Sequence, residues 1–325
     1  MKAQRTAVEK ALIGRLGTSL ERAPWSTCRR VGAFFGLAFF AGFRHRRQIA
    51  TDNLRLVFPH LSDAQIQTIA RRSAQNFGIS FCEFLHLRTA SAQSIRDYVE
   101  IDGFEHIEKA LSFGRGVVLP TAHFGAWEVM AARVTLEFPL TVIVRLTSNK
   151  PLREHIMRVR EAINVEMIDK SDSARAPLKV LKRNGGLGVF PDQHAGKDGA
   201  LMPVFGHPTR VFTSTSRLAL SARAPLVPAF AVRRKPWISD GRVTVKVSPG
   251  LYLHDIEYSK CDLKSSSNRD EAVMAGTRYI VSETENIIRQ HPEQWLWMHR
   301  RWREEDRRAQ DEIDAQNMEE NDSDL

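Results

Sequence analysis

The stretch of sequence that decides the fold is residues 116–128, which read GVVLPTAHFGAWE. Residues 116–121 are apolar and partly β-branched, and this predicts a buried strand. A helix is predicted to begin near Gly125 or Ala126 and to run to about residue 136. His123 therefore lies in the connection between the strand and the helix, and Glu128 lies in the first helical turn. The pattern predicts one unit of an α/β sheet.

The same alternation of short apolar runs and helical stretches continues to the C-terminal region. Because the apolar runs are near-continuous, they predict a largely buried sheet with helices on its faces. The predicted strands are 116–121, 140–146, 186–190, 226–232 and 243–247, and the predicted helices are 127–136, 152–162, 176–182, 213–222 and 270–290.

The chain before residue 98 has a different character, and residues 48–97 are predicted to be helical. Ser62 and Gln65 have the spacing of a capping box. Residues 31–43 read VGAFFGLAFFAGF and have arginines on both sides. Thirteen helical residues reach about 20 Å, short of the roughly 30 Å hydrocarbon core. An interfacial or half-inserted helix is therefore predicted, with a full span and a buried core helix as the alternatives.

Composition and charge divide the 325 residues into three parts. Residues 1–45 are predicted as a basic and apolar membrane-associating segment, and residues 46–303 as a single domain, helical over 46–97 and α/β over 98–303. Residues 304–325 are acidic and are predicted to be a disordered tail. The net charge of +9 is concentrated near the N-terminus. It suggests an anionic partner, either lipid headgroups or nucleic acid, or simply a charged surface.

Several function classes lack their sequence signals. The chain has no phosphate-binding loop, no strand–GxGxxG–helix unit, no HExxH, no Cys/His cluster with zinc spacing and no GxSxG elbow. Cys28, Cys82 and Cys261 are widely spaced and form no disulfide framework, which indicates a reducing compartment.

His123 and Glu128 are the candidate acid–base pair. With the histidine in the connection, the chain can fold back so that Glu128 accepts a hydrogen bond from Nδ1. Nε2 would then be free to take a proton from a substrate hydroxyl. The spacing alone is weak, because His299 and Glu304 repeat it. The position of His123 at the carboxyl edge of a sheet favours the first pair, and a core histidine is the alternative.

A second candidate segment covers residues 189–220. Its predicted strand carries Asp192 and Gln193 to the sheet edge, and a glycine-rich loop and a helix follow. Asp192 would orient water, a basic side chain or a substrate hydroxyl. Arg210 would meet a phosphate, as would the N-terminus of the following helix. Ordinary strand–turn–helix structure is the alternative.

Two arginines complete the candidate site. Arg145 ends an otherwise apolar strand, and Arg158 lies on the next helix. Either would neutralise a phosphate or a carboxylate, with surface ion pairs as the alternative.

These residues resemble the bacterial lipid A biosynthesis acyltransferases, the late lauroyl and myristoyl transferases, and their relatives that acylate phosphatidylinositol mannosides. The resemblance covers roughly residues 45–303 and is carried by blocks in the order found in the family. The blocks are RRQIATDNLRLVFPHLSDAQ (46–65), RGVVLPTAHFGAWE (115–128), VIVRLTSNKP (142–151), MRVRE (157–161), FPDQHAG (190–196), FGHPTRVFTSTSRLAL (205–220) and HPEQWLWMHRRWR (291–303).

The resemblance implies a glycerol-phosphate-acyltransferase-like mixed sheet flanked by helices, with an N-terminal membrane-associated helical segment. It implies an HX4D/E site in which His123 is the base and Glu128 its partner. Arg158, and also Arg145, would hold an oxyanion or a substrate phosphate, and Asp192 would support them. The donor would be acyl carrier protein or coenzyme A thioester, and no metal or other cofactor would be required.

The expected function is transfer of a fatty acyl chain to a hydroxyl of a glycolipid in lipopolysaccharide biosynthesis. The expected location is the cytoplasmic face of the bacterial inner membrane, peripheral or monotopic, with membrane lipids as partners and no nucleic acid. The alternatives are acylation of a lysophospholipid or of a phosphatidylinositol mannoside, hydrolysis of the thioester by water, and a non-enzymatic membrane- or nucleic-acid-binding protein.

Overall fold

The computed structural model describes residues 19–170, 175–254 and 265–323. The basic residues Lys2, Arg5, Lys10 and Arg15, together with Cys261 and Asp324, lie outside these ranges. The described chain therefore covers most of the predicted domain and only part of the predicted N-terminal segment.

From Trp25 onward, the described helical N-terminal part has four helices: α1 (Trp25–Gly42), α2 (Arg44–Val57), α3 (Asp63–His86) and α4 (Ala92–Tyr98). The predicted capping box at the start of α3 is confirmed, because Ser62 and Gln65 exchange side-chain and backbone hydrogen bonds. Such a box satisfies amide groups that have no partner within the helix. Short non-helical connections after α2 and α3 divide the predicted helical region.

Helix α1 packs against α3 along a line of glycines, and this contact brings the two backbones very close. A Cβ atom at Gly36 would overlap the Ala74 carbonyl oxygen, and one at Gly78 would overlap that of Gly32. Only glycine permits this approach. The packed face of α1 also contains buried Cys28, Ala33 and Phe40.

Large apolar side chains on and beside α1 are exposed. The side chains of Phe34 and Phe35 are exposed, as are Leu37 and Phe43, and Phe81 of α3 is also exposed. We call these five residues the aromatic patch. None of the described helices combines the length and apolarity needed to cross a membrane. The membrane association of this segment remains a prediction.

The α/β part alternates strands and helices as the sequence predicts. Its elements are β1 (Val99–Asp102), α5 (Phe104–Ser112), β2 (Val117–Pro120), α6 (Trp127–Val134), β3 (Leu140–Val144), α7 (Lys150–Ala162), β4 (Val165–Asp169), α8 (Arg175–Lys182), β5 (Gly186–Val189), β6 (Ala200–Val204), β7 (His207–Val211), α9 (Ser214–Ala222), β8 (Ala229–Arg233), β9 (Val243–Val247), α10 (Ser266–Gln290), a 3-10 helix (Pro292–Gln294) and α11 (Glu304–Ser323).

The strands form two sheets that meet at β2, and together the sheets contain both parallel and antiparallel pairs. One sheet has the order β2-β5-β3-β4 with parallel pairing throughout, and the other has the order β1-β9-β8 with β8 antiparallel to β9. A parallel bridge between Val118 and Leu226 joins them, with Val227 N–H donating to the Val118 carbonyl at 2.9 Å. The mixed sheet with flanking helices is confirmed. Strands β6 and β7 form a separate antiparallel hairpin.

A buried ion pair ties the helical part to the sheet. The guanidinium of Arg233, at the end of β8, donates to both carboxylate oxygens of Glu83 on α3, at 2.6 and 2.8 Å. Both side chains are fully buried. Asn76 of α3 accepts a further bond from Arg233 Nε at 3.1 Å. A buried charge needs such complete pairing, because removing one partner costs roughly 3–5 kcal/mol.

The acidic C-terminal residues differ from the sequence expectation of a disordered tail. Residues Glu304–Ser323 form helix α11. Its first turn includes Asp306, which is fully buried and accepts a hydrogen bond from His194 Nε2 at 2.8 Å. Arg210 Nε lies 3.4 Å from the other oxygen of Asp306. Composition alone indicates a solvated segment, but one buried carboxylate with two partners attaches this helix to the domain.

The close contact between α1 and α3 leads to a stability prediction. We expect Gly36→Ala to lower the free energy of unfolding by about 1–3 kcal/mol, the usual cost of overpacking, because the added methyl group overlaps the α3 backbone. Gly42→Ala is the matched control, since a Cβ there meets nothing within 4 Å. Denaturant unfolding of both variants measures the difference. Equal stability of the two would contradict the close contact.

Candidate active site

The candidate site lies where two neighbouring parallel strands end. Strand β2 ends at Pro120 and β5 at Val189, and the Thr121 N–H still donates to the Val189 carbonyl at 2.9 Å. His123 follows β2 and Asp192 follows β5, so the pairing of the strands brings both side chains to the same edge. This is where open α/β sheets place their ligands.

The connection from β2 to α6 has a backbone conformation that requires glycine. Gly125 has φ of +56°, and a Cβ there would overlap the carbonyl oxygen of Ala231. Its carbonyl accepts hydrogen bonds from Asn76 at 3.2 Å and Ser80 at 2.6 Å, both on α3. Its N–H donates to the Gln294 carbonyl at 2.9 Å. The connection carrying His123 is thus fixed by three separate elements.

Asp192 is the partner of His123. Its Oδ1 lies 2.9 Å from His123 Nδ1, and its Oδ2 accepts the His123 backbone N–H at 2.9 Å. An ionised carboxylate only accepts hydrogen bonds, so Nδ1 carries the proton and Nε2 has a free lone pair. The His123 side chain is 27% exposed, whereas that of Asp192 is 2% exposed. The ring can therefore meet a substrate while its partner stays buried.

The pKa values of both groups follow from this contact. Burial disfavours the imidazolium form of His123, but the charge of Asp192 and its hydrogen bond outweigh burial and raise the pKa of His123. Burial would likewise raise the pKa of Asp192, and the charge and hydrogen bonds of His123 instead lower it. Asp192 is therefore ionised at neutral pH and favours a protonated ring once His123 has accepted a proton.

Glu128 does not make the expected hydrogen bond to His123. Its carboxylate pairs instead with Arg160 of α7. The Arg160 side chain is 7% exposed, and a buried positive charge needs an anionic partner. The Glu128 carboxylate is that partner. Glu128 still influences His123, because its negative charge helps to raise the pKa of the ring.

Arg160, rather than Arg158, is the arginine of α7 that pairs with Glu128. Arg158 is exposed, whereas Arg160 is buried against the ring of Phe84 at 5.1 Å. The Nε and Nη1 groups of Arg160 have no hydrogen-bond partner. A sequence signal for this existed: Ile156, Val159, Arg160 and Ile163 have the spacing of one helical face. Arg158 lies off that face.

The other predicted site residues have different surroundings. Arg210 does not face an open anion site, since it donates to the Gly199 carbonyl and pairs with Asp306. Arg145 is exposed just after β3, and Gln193 is half-buried beside Asp192. Roles for Arg145 and Gln193 remain predictions.

A group of possible metal ligands lies near Asp192 in the sequence but is occupied by protein contacts. Ligand atoms of His194, Glu305 and Asp306 lie within 4.8 Å of one another. His194 Nε2 bonds to Asp306, and its Nδ1 accepts the Gly196 N–H at 3.0 Å. Since both ring nitrogens are used, a metal ion would have to displace one of these bonds.

Trp295 and His299 also contribute to the surroundings of the pair, although the sequence pattern predicts no role for either. Trp295 Nε1 donates to Asp192 Oδ2 at 3.0 Å. His299 is partly buried, and burial lowers its pKa to about 4. The histidine of the second HX4E match is therefore neutral at physiological pH. Spacing did not reveal these contacts because both residues follow α10, far along the chain from His123.

The chain is similar to several known acyltransferases. A family model described as bacterial lipid A biosynthesis acyltransferase matches residues 6–304. The lipid A biosynthesis lauroyltransferase of Escherichia coli is 27% identical over 86% of both chains. A phosphatidylinositol mannoside acyltransferase of Mycobacterium tuberculosis is 24% identical over 73% of this chain and 72% of its own. The solved 1-acyl-sn-glycerophosphate acyltransferase PlsC of Thermotoga maritima covers 78% of this chain and 97% of its own, with a TM-score of 0.35 and 15% identity.

The chain belongs to the bacterial lipid A biosynthesis acyltransferase family, since that model matches nearly all of it. The predicted resemblance is confirmed, and the protein is an acyltransferase. The non-enzymatic hypothesis is therefore set aside.

The contact between His123 and Asp192 predicts the titration of the ring. By NMR of the imidazole nitrogens, we expect the His123 midpoint above the ordinary value of 6.5 and the His299 midpoint near 4. Asp192→Asn removes the negative charge that stabilises the imidazolium, so the His123 midpoint should fall. A wild-type midpoint at or below 6.5 would show that burial outweighs Asp192.

Proposed function

We propose that this acyltransferase moves a fatty acyl chain from a thioester donor to a hydroxyl of a glycolipid of the lipid A type, with His123 as general base. The observation that carries the proposal is the arrangement of one ring. Nδ1 bonds to buried Asp192 at 2.9 Å, which leaves the Nε2 lone pair free, and the side chain is 27% exposed. A base held in this way can deprotonate a bound hydroxyl.

The proposed reaction needs no nucleophile from the protein. His123 Nε2 takes the proton of the acceptor hydroxyl as its oxygen attacks the thioester carbonyl, forming the new ester C–O bond. The C–S bond then breaks, and the imidazolium returns the proton to the leaving thiolate. Burial raises the pKa of both Cys28 and Cys82 to about 12, so these thiols are protonated and poorly suited to form an acyl-enzyme.

Arg160 is the proposed donor to the oxyanion or to a phosphate of the substrate. The backbone N–H groups from His123 to Ala126 already have acceptors: Asp192 and the carbonyls of Ala122, Gln294 and Ala231. The unpaired Nε and Nη1 of Arg160 remain as buried donors. A charged donor in a buried site stabilises developing negative charge strongly. In this proposal Glu128 holds the Arg160 guanidinium in place and does not orient the His123 ring.

The acceptor is proposed as a lipid A precursor because the family description and the lauroyltransferase relative are named for that pathway. Phosphatidylinositol mannoside is the second acceptor to test, since a relative is named for it. The donor is proposed as an acyl carrier protein or coenzyme A thioester, with no metal or other cofactor in the reaction.

We also propose that the aromatic patch binds the cytoplasmic surface of the inner membrane. Its five side chains are 38–68% exposed, and exposed Arg44, His45 and Arg46 follow it at the start of α2. Aromatic rings insert at the interfacial layer, and arginines beside them attract anionic headgroups. Such binding would hold the site close to a lipid acceptor.

The function is tested by transfer of labelled acyl groups to each acceptor from each donor. We expect His123→Ala to lower kcat at least about 100-fold, the usual weight of general base catalysis. Arg160→Gln should also lower kcat, because two buried donors are lost. His106→Ala on α5 is the control and should retain activity.

Full activity of His123→Ala would overturn the mechanism. Thioester cleavage at an equal rate with and without a lipid acceptor would instead favour hydrolysis by water.

The membrane proposal is tested by co-sedimentation with vesicles containing anionic lipid. We expect Phe34→Ser with Phe35→Ser to weaken binding by about tenfold or more, because each buried ring contributes about 1.5–3 kcal/mol. Phe113→Ser is the matched control, as this ring is also exposed but belongs to a different surface beside Tyr252. Equal binding of both variants would contradict the assignment of the patch.

A further inference from the structure

The carboxylate of Asp192 receives three hydrogen bonds, and two of them come from His123 itself. The third is the indole N–H of Trp295, which donates to Oδ2 at 3.0 Å. The indole is 4% exposed, and the carboxylate is fully enclosed. Trp295 is therefore the described side chain, other than His123, that fixes the orientation of this carboxylate.

The backbone around Trp295 is held in register with the catalytic connection. Phe124 and Trp295 form an antiparallel bridge, and the Leu296 N–H donates to the His123 carbonyl at 3.0 Å. Ser73 of α3 donates to the Trp295 carbonyl from the other side. The indole ring also packs edge-on against Trp297 at 4.6 Å between centroids. The position of the N–H relative to His123 is thus determined by backbone and packing together.

We propose that Trp295 is a positioning residue that acts on His123 through Asp192, and that its N–H moderates the negative charge which Asp192 presents to the ring. A donated hydrogen bond places partial positive charge on the carboxylate. Without it, more negative potential reaches the imidazole, which favours the protonated form. Trp295 thus keeps the base more fully deprotonated near neutral pH. This inference rests on the proposed role of His123.

The other charged groups around the pair come from different elements. Glu128 on α6 and His299 before α11 interact with His123, and Arg301 interacts with Asp192. Removal of the Trp295 N–H leaves all three unchanged. A shift in the titration of His123 on that removal therefore reports the hydrogen bond itself.

The experiment compares three forms of the full-length protein. Trp295→Phe removes the N–H and part of the ring, and benzothienylalanine at position 295 replaces the N–H with sulfur at nearly the same volume. Trp25→Phe is the matched control, because its indole donates to Ser94 Oγ at 2.9 Å and not to Asp192. The benzothienylalanine form preserves the packing, so the test stands even if Trp295→Phe does not fold.

We expect both changes at position 295 to raise the His123 ring midpoint by about half a pH unit. The acid limb of kcat/KM should move up by the same amount, with kcat lowered and KM unchanged. Trp25→Phe should leave the midpoint in place. A midpoint that stays constant or falls in the benzothienylalanine form would overturn the inference, because removal of the N–H would then not have increased the negative charge that Asp192 presents to the ring.

The ring titration separates this inference from the proposed function. An inactive His123→Ala with an unmoved midpoint in the benzothienylalanine form would leave the general base intact and reject the role of Trp295. An active His123→Ala would reject the general base itself, and with it the positioning role.

Discussion

The buried ion pair between Arg233 and Glu83 is the interaction on which the rest of the structure depends. It joins the last residue of β8 to α3, and neither charge can be exposed without separating the helical part from the sheet. The Arg233 backbone is also clamped by the side-chain amide of Gln294, which accepts its N–H at 2.8 Å and donates to its carbonyl at 3.0 Å. Because the Gln294 carbonyl also receives the Gly125 N–H, a charge pair in the core fixes the geometry of the catalytic connection.

The local parts of the fold and of the site could be predicted from sequence. Strands of buried apolar residues and the helices between them have clear periods, and the predicted strands near residues 116, 140, 186, 226 and 243 all exist. The sequence did not indicate β1, β4 or the β6–β7 hairpin, whose residues alternate with polar ones or include proline and so resemble loops. His123 and Asp192 were identifiable because each follows a buried strand, and parallel strands end at one edge.

Pairing between distant side chains could not be predicted in the same way. Glu128 is five residues from His123, yet its carboxylate pairs with Arg160, because the buried guanidinium needs an anionic partner. The acidic C-terminal helix shows the same limit. Its composition is that of a solvated segment, and only the buried contacts of Asp306 with His194 and Arg210 reveal its attachment. Sequence separation hides such partners. The sequence prediction chose Arg158, although the helical spacing of Ile156, Val159, Arg160 and Ile163 was available as a signal for Arg160.

The hydrogen bond from Ser73 to the Trp295 carbonyl joins residues 222 positions apart, and it has a consequence for the order in which the molecule is made. A ribosome releases the N-terminal residues first. Helix α1 and its exposed aromatic rings therefore emerge long before the tryptophan-rich segment that completes the catalytic connection. A nascent chain therefore exposes the aromatic side chains of α1 before Trp295 is available to contact Asp192. Truncation before residue 295 would remove the indole that donates to Asp192 and the backbone N–H that donates to the His123 carbonyl, so the catalytic connection would lose both supports.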